Sequence, residues 1–480
     1  MGKGTFLRQL IHAAISIALR LFFRRIETTN VEKVPPDKPL IFVLNHPNGL
    51  VDPALVFVSL PRRVSFLAKS TLFTIPVGGA IIRALEALPV YRRIDAGGDM
   101  SKNLETFRVC RELLAQNRCI AIFPEGISHD ETKLKPIKTG AARIALGALG
   151  VGEEEEKRRR GEEEKGGKGE GEKDKNTDHR PPTTDHLDLK IMAVGLFYTS
   201  KTAFRSEVLI RYGEILEVEP VELDEDGEPP KEAVKSLTDR IERALRNVTL
   251  NLESAEELDT ILKAEALFSS VYKNLIFKET LTNSFRRLQS LAEKYKLLGQ
   301  NEPEKMRALN EKITAYENDL KTSGVTAESL SVLQHPTWYV FRYLIFRLFL
   351  LILLAPLAIV GAVIHSPAYV FSNFIGLMFK THGADAAGST YKIVAAMVFM
   401  PLTWLIVASI VWYFFSWQIA LVSIPVTILC GYIALRSSET LIDMTVWLKS
   451  AWLLFGRRAL FLRLLFERET LQKEIGELIE

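Results

Sequence analysis

The stretch Val43 to Pro53, VLNHPNGLVDP, sets His46 six positions before Asp52 in a chain that has only 8 histidines among 480 residues. Histidine is the side chain suited to taking up and returning a proton near neutral pH, and a carboxylate at its second ring nitrogen can hold one tautomer in place. A second stretch, FPEGISHD from Phe123 to Asp130, places Glu125 and Gly126 beside another histidine, His129. Each has a plainer reading when taken singly. A loop His–Asp pair is commonly a surface hydrogen bond, and Pro-Glu-Gly is a common turn.

The elements around these stretches decide whether they can meet. Both follow short apolar runs, KPLIFVLNH and RCIAIFPEG, that read as buried strands ending in loops, where sites are most often built. RVSFLAK reads as another strand, IPVGGAIIRALEAL and KTGAARIALGALG as helices, and SKNLETFRVCRELLAQ as an amphipathic helix. LKIMAVGLFY and EVLIRYGEIL then form a strand pair. This alternation predicts an α/β domain over 29–254, a central mixed sheet flanked by helices. Residues 152–186, GEEEEKRRRGEEEKGGKGEGEKDKNTDHRPPTTDH, carry almost nothing apolar, so burial cannot offset their ordering entropy and a disordered insert is expected.

The remainder of the chain points to a membrane. Residues 1–28 hold Lys3, Arg8, Arg20, Arg24 and Arg25 around an apolar face of Phe6, Leu7, Leu10, Ile11, Ala14, Ile17, Ala18 and Leu21, which predicts an amphipathic helix in the headgroup region. Arg20 interrupts the apolar run, so a cleaved signal peptide is not expected. Residues 255–334 read as a helical arm and 335–445 as transmembrane helices, with an uncharged run over 393–435 long enough for a helical hairpin. Trp412, Tyr413 and Trp417 suit its interfacial turn. The segment around Pro356 reads as a span, a re-entrant piece or two short helices, and a basic amphipathic helix is expected over 446–480. A balance of 61 basic against 58 acidic residues gives a net charge of +3, which argues against a nucleic-acid partner. The three cysteines, Cys110, Cys119 and Cys430, fit buried thiols of a reducing compartment.

In order and about eighty residues apart, the two loop motifs resemble those of the glycerolipid acyltransferases, membrane enzymes that acylate glycerol phosphates and lysophospholipids. The correspondence runs through Asn45-His46…Asp52, a segment with Lys69, Arg92 and Arg93, then Phe123-Pro124-Glu125-Gly126, and the strand IMAVGLFY, over residues 35–215. Two features depart from the common pattern: five residues separate His46 from Asp52, and ISHD replaces the usual Thr-Arg. Both are similar to the fungal dual-substrate branch, which uses glycerol-3-phosphate or dihydroxyacetone phosphate.

That resemblance implies an enzyme transferring a fatty acyl group from acyl-CoA or acyl-carrier protein to glycerol-3-phosphate, with His46 as general base and Asp52 as its partner. Gly49 would give the longer loop its slack. For the acceptor phosphate it implies Arg92 and Arg93 first, then Lys69 and Lys138, with Glu125, Gly126 and Ser128 in the acceptor-binding loop. His129 would join Asp130 in holding that loop. No cofactor and no metal are expected, because attack on a thioester needs neither; the expected partners are membrane lipids, the acyl donor and a small phosphorylated acceptor. The implied location is an integral membrane protein with its catalytic domain on the cytoplasmic face, in a bacterial inner membrane or the endoplasmic reticulum. Two rival readings are a 1-acyl-sn-glycerol-3-phosphate acyltransferase and a non-catalytic membrane scaffold or lipid-binding protein.

Overall fold

The computed structural model describes residues 3–74, 79, 82–83, 85–91, 102–129, 131–150, 187–225, 227–268, 280–326, 330, 337–378 and 388–479. The charged insert and Arg92 and Arg93 lie outside the described residues. The chain divides into two units, with the break after Thr249.

The first unit is built on a seven-stranded sheet of β1 (Arg25–Thr29), β2 (Leu40–Leu44), β3 (Val64–Lys69), β4 (Leu88–Val90), β5 (Cys119–Ile122), β6 (Lys190–Tyr198) and β7 (Glu207–Glu217). Their spatial order is β1-β7-β6-β2-β5-β3-β4, and every pair is parallel except β6 with β7. The expected mixed sheet is therefore present. Strand β2 is buried at every residue, which explains why its sequence LIFVL is a continuous apolar run and not an alternating one. Ile41 and Val43 face a core closed by α3 (Lys102–Ala115), α4 (Gly140–Leu149) and α5 (Lys231–Val248). On the other face Phe42 meets Tyr212, whose hydroxyl shares a 2.9 Å hydrogen bond with Ser59 at the end of α2 (Val51–Ser59). Cys110, Cys119 and Cys430 are free and buried, and burial pushes the Cys110 thiol up to about 12.

Helix α1 (Lys3–Phe22) docks through its C-terminal end, where Leu19, Phe22 and Phe23 are buried. The Arg205 guanidinium donates to the carbonyls of Arg20, Leu21 and Phe23 at 3.1, 3.0 and 3.1 Å, so a cation closes the negative end of this helix. Phe6, Leu7, Leu10, Ile17 and Leu21 stay exposed along the apolar face.

The second unit is helical. Helices α6 (Ala255–Phe268), α7 (Leu281–Asn301) and α8 (Pro303–Ser323) bury Ile261, Phe285, Leu288, Ile313 and Leu320. Three long apolar helices follow: α9 (Thr337–Met378), α10 (Gly388–Phe414) and α11 (Trp417–Gly456). Each has the length and composition to cross a membrane, over Leu344–Met378, Thr390–Phe414 and Trp417–Thr445. The hairpin turn falls between Phe414 and Trp417, among the aromatic residues. The segment around Pro356 is neither two short helices nor broken: α9 runs through Pro356 and Pro367 without interruption. In a long apolar helix the missing proline N–H is tolerated because neighbouring backbone and side chains absorb the loss. The last helix, α12 (Arg458–Ile479), buries Phe461, Leu464, Leu471 and Ile475. It packs on the arm through Arg463–Asp319 at 2.6 Å, Lys312–Glu474 at 2.7 Å and Arg468 Nε on the Leu267 carbonyl at 2.9 Å.

Candidate active site

Strands β2, β3, β4, β5 and β6 run parallel, so their carboxyl ends share one edge of the sheet. That edge of an open α/β sheet is where ligands are bound, since the loops leaving it are free to diverge around a crevice. Among the described residues the expected ones leave from it in turn: His46 after β2, Lys69 at the end of β3, Phe123 to His129 after β5.

The backbone ladder between β2 and β6 ends at Leu44 opposite Val194. There the Asn45 side chain substitutes for backbone: its Nδ2 donates to the Leu196 carbonyl at 3.1 Å and its Oδ1 accepts from the Leu196 N–H at 2.8 Å. The strand is anchored one residue before His46. Gly49 then takes a φ of 46°, which lets the chain double back into α2 and place Asp52 in its first turn. The six-residue spacing is accommodated in this way, and His46 Nδ1 lies 2.8 Å from Asp52 Oδ2. Asp52 is closed to solvent, whereas the His46 side chain keeps 18% of its surface exposed. The Asn48 N–H also donates to Asp52 Oδ2, at 2.7 Å, and the Tyr198 hydroxyl donates to Asp52 Oδ1. Burial, and then the charge of Asp52, push the Tyr198 phenol well above its ordinary value, so it is a neutral donor.

The second loop is locked onto the first. Phe123, Pro124, Glu125 and Gly126 form a turn closed by the Gly126 N–H on the Phe123 carbonyl at 3.0 Å, with proline in its second position and Gly126 at a φ of 74°. The Phe123 ring stacks on His46 with centroids 4.1 Å apart. Glu125, expected at the acceptor, has a fully enclosed carboxylate engaged by three donors: the His46 N–H at 2.9 Å, the Lys135 N–H at 2.9 Å and His129 Nε2. Its immediate task is to join the two loops. The His129 N–H completes the join on the His46 carbonyl at 3.1 Å. His129 thus holds the loop through Glu125, and Asp130 lies outside the described residues.

Ser128 is half-buried in the same loop. Lys138 is tied by its N–H to the Pro124 carbonyl at 2.8 Å, and its side chain lies across Gly126, where a Cβ would collide with it. Lys69 sits opposite Val90. Next to Val90, Tyr91 exchanges two hydrogen bonds with Asn103 of α3, at 3.0 and 2.8 Å, which fixes the chain just before Arg92 and Arg93. Sequence reasoning did not single out Asn48, Asn103 or Tyr198. Tyr198 left one signal: it is a polar-tipped aromatic ending an apolar strand.

A parallel sheet edge carrying a buried carboxylate against a partly exposed histidine is an arrangement that can serve acyl transfer in an α/β enzyme. Both parts of the chain are similar to glycerolipid acyltransferases. Residues 25–152 match the Acyltransferase model, and residues 263–480 match that of the glycerol-3-phosphate acyltransferase 2 C-terminal domain. An uncharacterised acyltransferase of Schizosaccharomyces pombe is 23% identical over 92% of this chain and 76% of its own length. Glycerol-3-phosphate O-acyltransferase 1 of Saccharomyces cerevisiae is 26% identical over 63% of this chain, a match that spans 36% of that enzyme. The crystal structure of the 1-acyl-sn-glycerophosphate acyltransferase PlsC from Thermotoga maritima aligns with 51% of this chain and 81% of its own, at 15% identity and a TM-score of 0.32.

Proposed function

We propose that the protein transfers a fatty acyl group from a coenzyme A or acyl-carrier thioester to the hydroxyl of glycerol-3-phosphate in phospholipid synthesis. The observation that carries this reading is the 2.8 Å contact of His46 Nδ1 with the enclosed Asp52 carboxylate. With its Nδ1 proton committed to Asp52, the neutral ring has its lone pair on Nε2, the arrangement needed for a general base. His46 takes the proton of the acceptor hydroxyl as its oxygen adds to the thioester carbonyl. The tetrahedral intermediate then collapses to the ester, the carbon–sulfur bond breaks, and the departing thiolate takes the proton from the imidazolium. Asp52 stabilises the imidazolium between these steps. Direct attack suits motifs that hold neither a Gly-x-Ser-x-Gly elbow nor a cysteine.

Arg92 and Arg93 bind the acceptor phosphate in this reading, aided by Lys69 and Lys138, because guanidinium forks match phosphate oxygens. Glu125, Gly126 and Ser128 shape the acceptor loop. The choice of glycerol-3-phosphate is supported by the extent of the matches: the yeast glycerol-3-phosphate enzymes align over 62–63% of this chain, and relatives named as 1-acyl-sn-glycerol-3-phosphate acyltransferases over 24–26%. The catalytic unit faces the cytoplasm, where both soluble substrates are found.

The test offers glycerol-3-phosphate, dihydroxyacetone phosphate and 1-acylglycerol-3-phosphate in parallel to the purified enzyme and to His46→Ala. Transfer to the small acceptors, reduced by about 10²–10⁴-fold in the variant, is expected. Preference for the lysolipid would assign the second acylation step instead. A variant as active as the parent would leave a scaffold role for the motifs.

A further inference from the structure

Asp52 is the most enclosed charged group at the site, and its two oxygens are held differently. Oδ2 accepts from His46 Nδ1 at 2.8 Å and from the Asn48 N–H at 2.7 Å, both within the same short loop. Oδ1 accepts from Tyr198, which arrives from a different element, the carboxyl end of β6, 146 residues away in the chain. Among the described residues Tyr198 is the donor that ties this carboxylate to the sheet. The Phe23 ring packs 5.9 Å from the Tyr198 ring, and Asn45 anchors β2 to β6 at Leu196, so the phenol has little freedom to follow a moving carboxylate.

We propose that Tyr198 is a positioning residue of the proposed reaction: its hydroxyl fixes the rotation of the Asp52 carboxylate and tempers its pull on the His46 ring. The inference rests on His46 being the base. A carboxylate held on one oxygen alone can turn about its Cβ–Cγ bond, and the histidine ring would turn with it. A hydroxyl on the second oxygen prevents this and draws off part of the negative charge that would otherwise act on the imidazolium. The other charged groups facing the pair come from the β5 loop and from the residues after β6. Glu125 binds the His46 backbone N–H, His129 is paired with Glu125, and Lys201 Nζ reaches the His129 carbonyl at 3.5 Å. None of these contacts involves the Asp52 carboxylate, so Tyr198 acts on it independently.

Tyr198→Phe keeps the ring and removes the donor. In the full-length enzyme kcat should fall about tenfold with acceptor KM within about twofold, since alignment matters in the transition state and not in acceptor binding. The acid limb of the kcat/KM profile should move to higher pH, because an untempered carboxylate holds the imidazolium more strongly. In an Asp52→Ala background the same substitution should change the residual rate little, as expected of a residue that acts through Asp52. If the variant melts below the assay temperature, 3-fluorotyrosine at position 198 keeps the shape with a stronger donor, and the acid limb should then move to lower pH. An unmoved acid limb together with an unchanged kcat, or an equal loss in the Asp52→Ala background, would overturn the proposal while His46→Ala remained inactive. Transfer by His46→Ala would instead overturn the assignment of the base, and the role of Tyr198 with it.

Discussion

Two buried tyrosines of the first unit, Tyr198 and Tyr212, are held by named partners, and they make the consequence of burial measurable. Tyr212 is enclosed between Phe42 and the end of α2, and burial pushes its phenol up to about 12 from an ordinary 10.0, partly countered by Ser59. Tyr198 is raised further in the same direction. Above pH 10 the unfolded chain loses these protons while the folded chain keeps them, so the unfolded state binds fewer protons and stability falls as pH rises. The stabilisation is therefore complete below about pH 10 and lost on approach to the folded-state values. Tyr212→Phe should remove about 2–3 kcal/mol of the alkaline loss. The apparent melting temperature of detergent-solubilised protein between pH 8 and pH 12 reads this out, with the variant's curve the flatter of the two. Identical curves would contradict the assignment.

The elements were unevenly legible. Strands β2, β5 and β6 stand out as apolar runs because they are buried on both faces, and the amphipathic spacing of α3 and α4 follows from their contact with the sheet. Strand β1 was read as part of the amphipathic N-terminal segment, since RIETT has no apolar pattern. It is an edge strand, and pairing with β7 makes it one. Close packing was equally hidden. Gly195 lies in β6 where the end of α5 crosses, and a Cβ there would run into the Val248 carbonyl. Gly195→Ala should therefore destabilise the catalytic unit by about 1–3 kcal/mol, through overpacking against backbone that cannot move aside. A lowered melting temperature with weakened acyl transfer is the expected result, and a variant as stable as the parent would show that α5 can shift.

On the scale of the molecule, the contacts of α12 constrain how the second unit lies in a bilayer. The arm precedes the three apolar helices and α12 follows them, yet the two are joined by Arg463–Asp319 and Lys312–Glu474. The expectation is that segments joined by such ion pairs lie on one side of a membrane, so that the chain between them crosses an even number of times. Glu304→Cys in α8 and Lys473→Cys in α12 replace exposed residues and can be probed with a membrane-impermeant maleimide in sealed vesicles. Both should label, or neither. Labelling from opposite faces would show that α12 leaves the arm when lipid is present.

By itself the sequence determined the α/β class of the first unit, the apolar character of the second, and the motifs at His46–Asp52 and Phe123–Gly126, because burial and turn chemistry are written locally as apolar runs, prolines and glycines. Only the tertiary structure decided that β6 lies beside β2, which brings Tyr198 to Asp52 across 146 residues, and that Glu125 turns inward to join the two loops. The order of strands in a sheet depends on which surfaces pack together once folded. No single stretch of chain records that order, and the identity of the residue at the second oxygen of Asp52 follows from it.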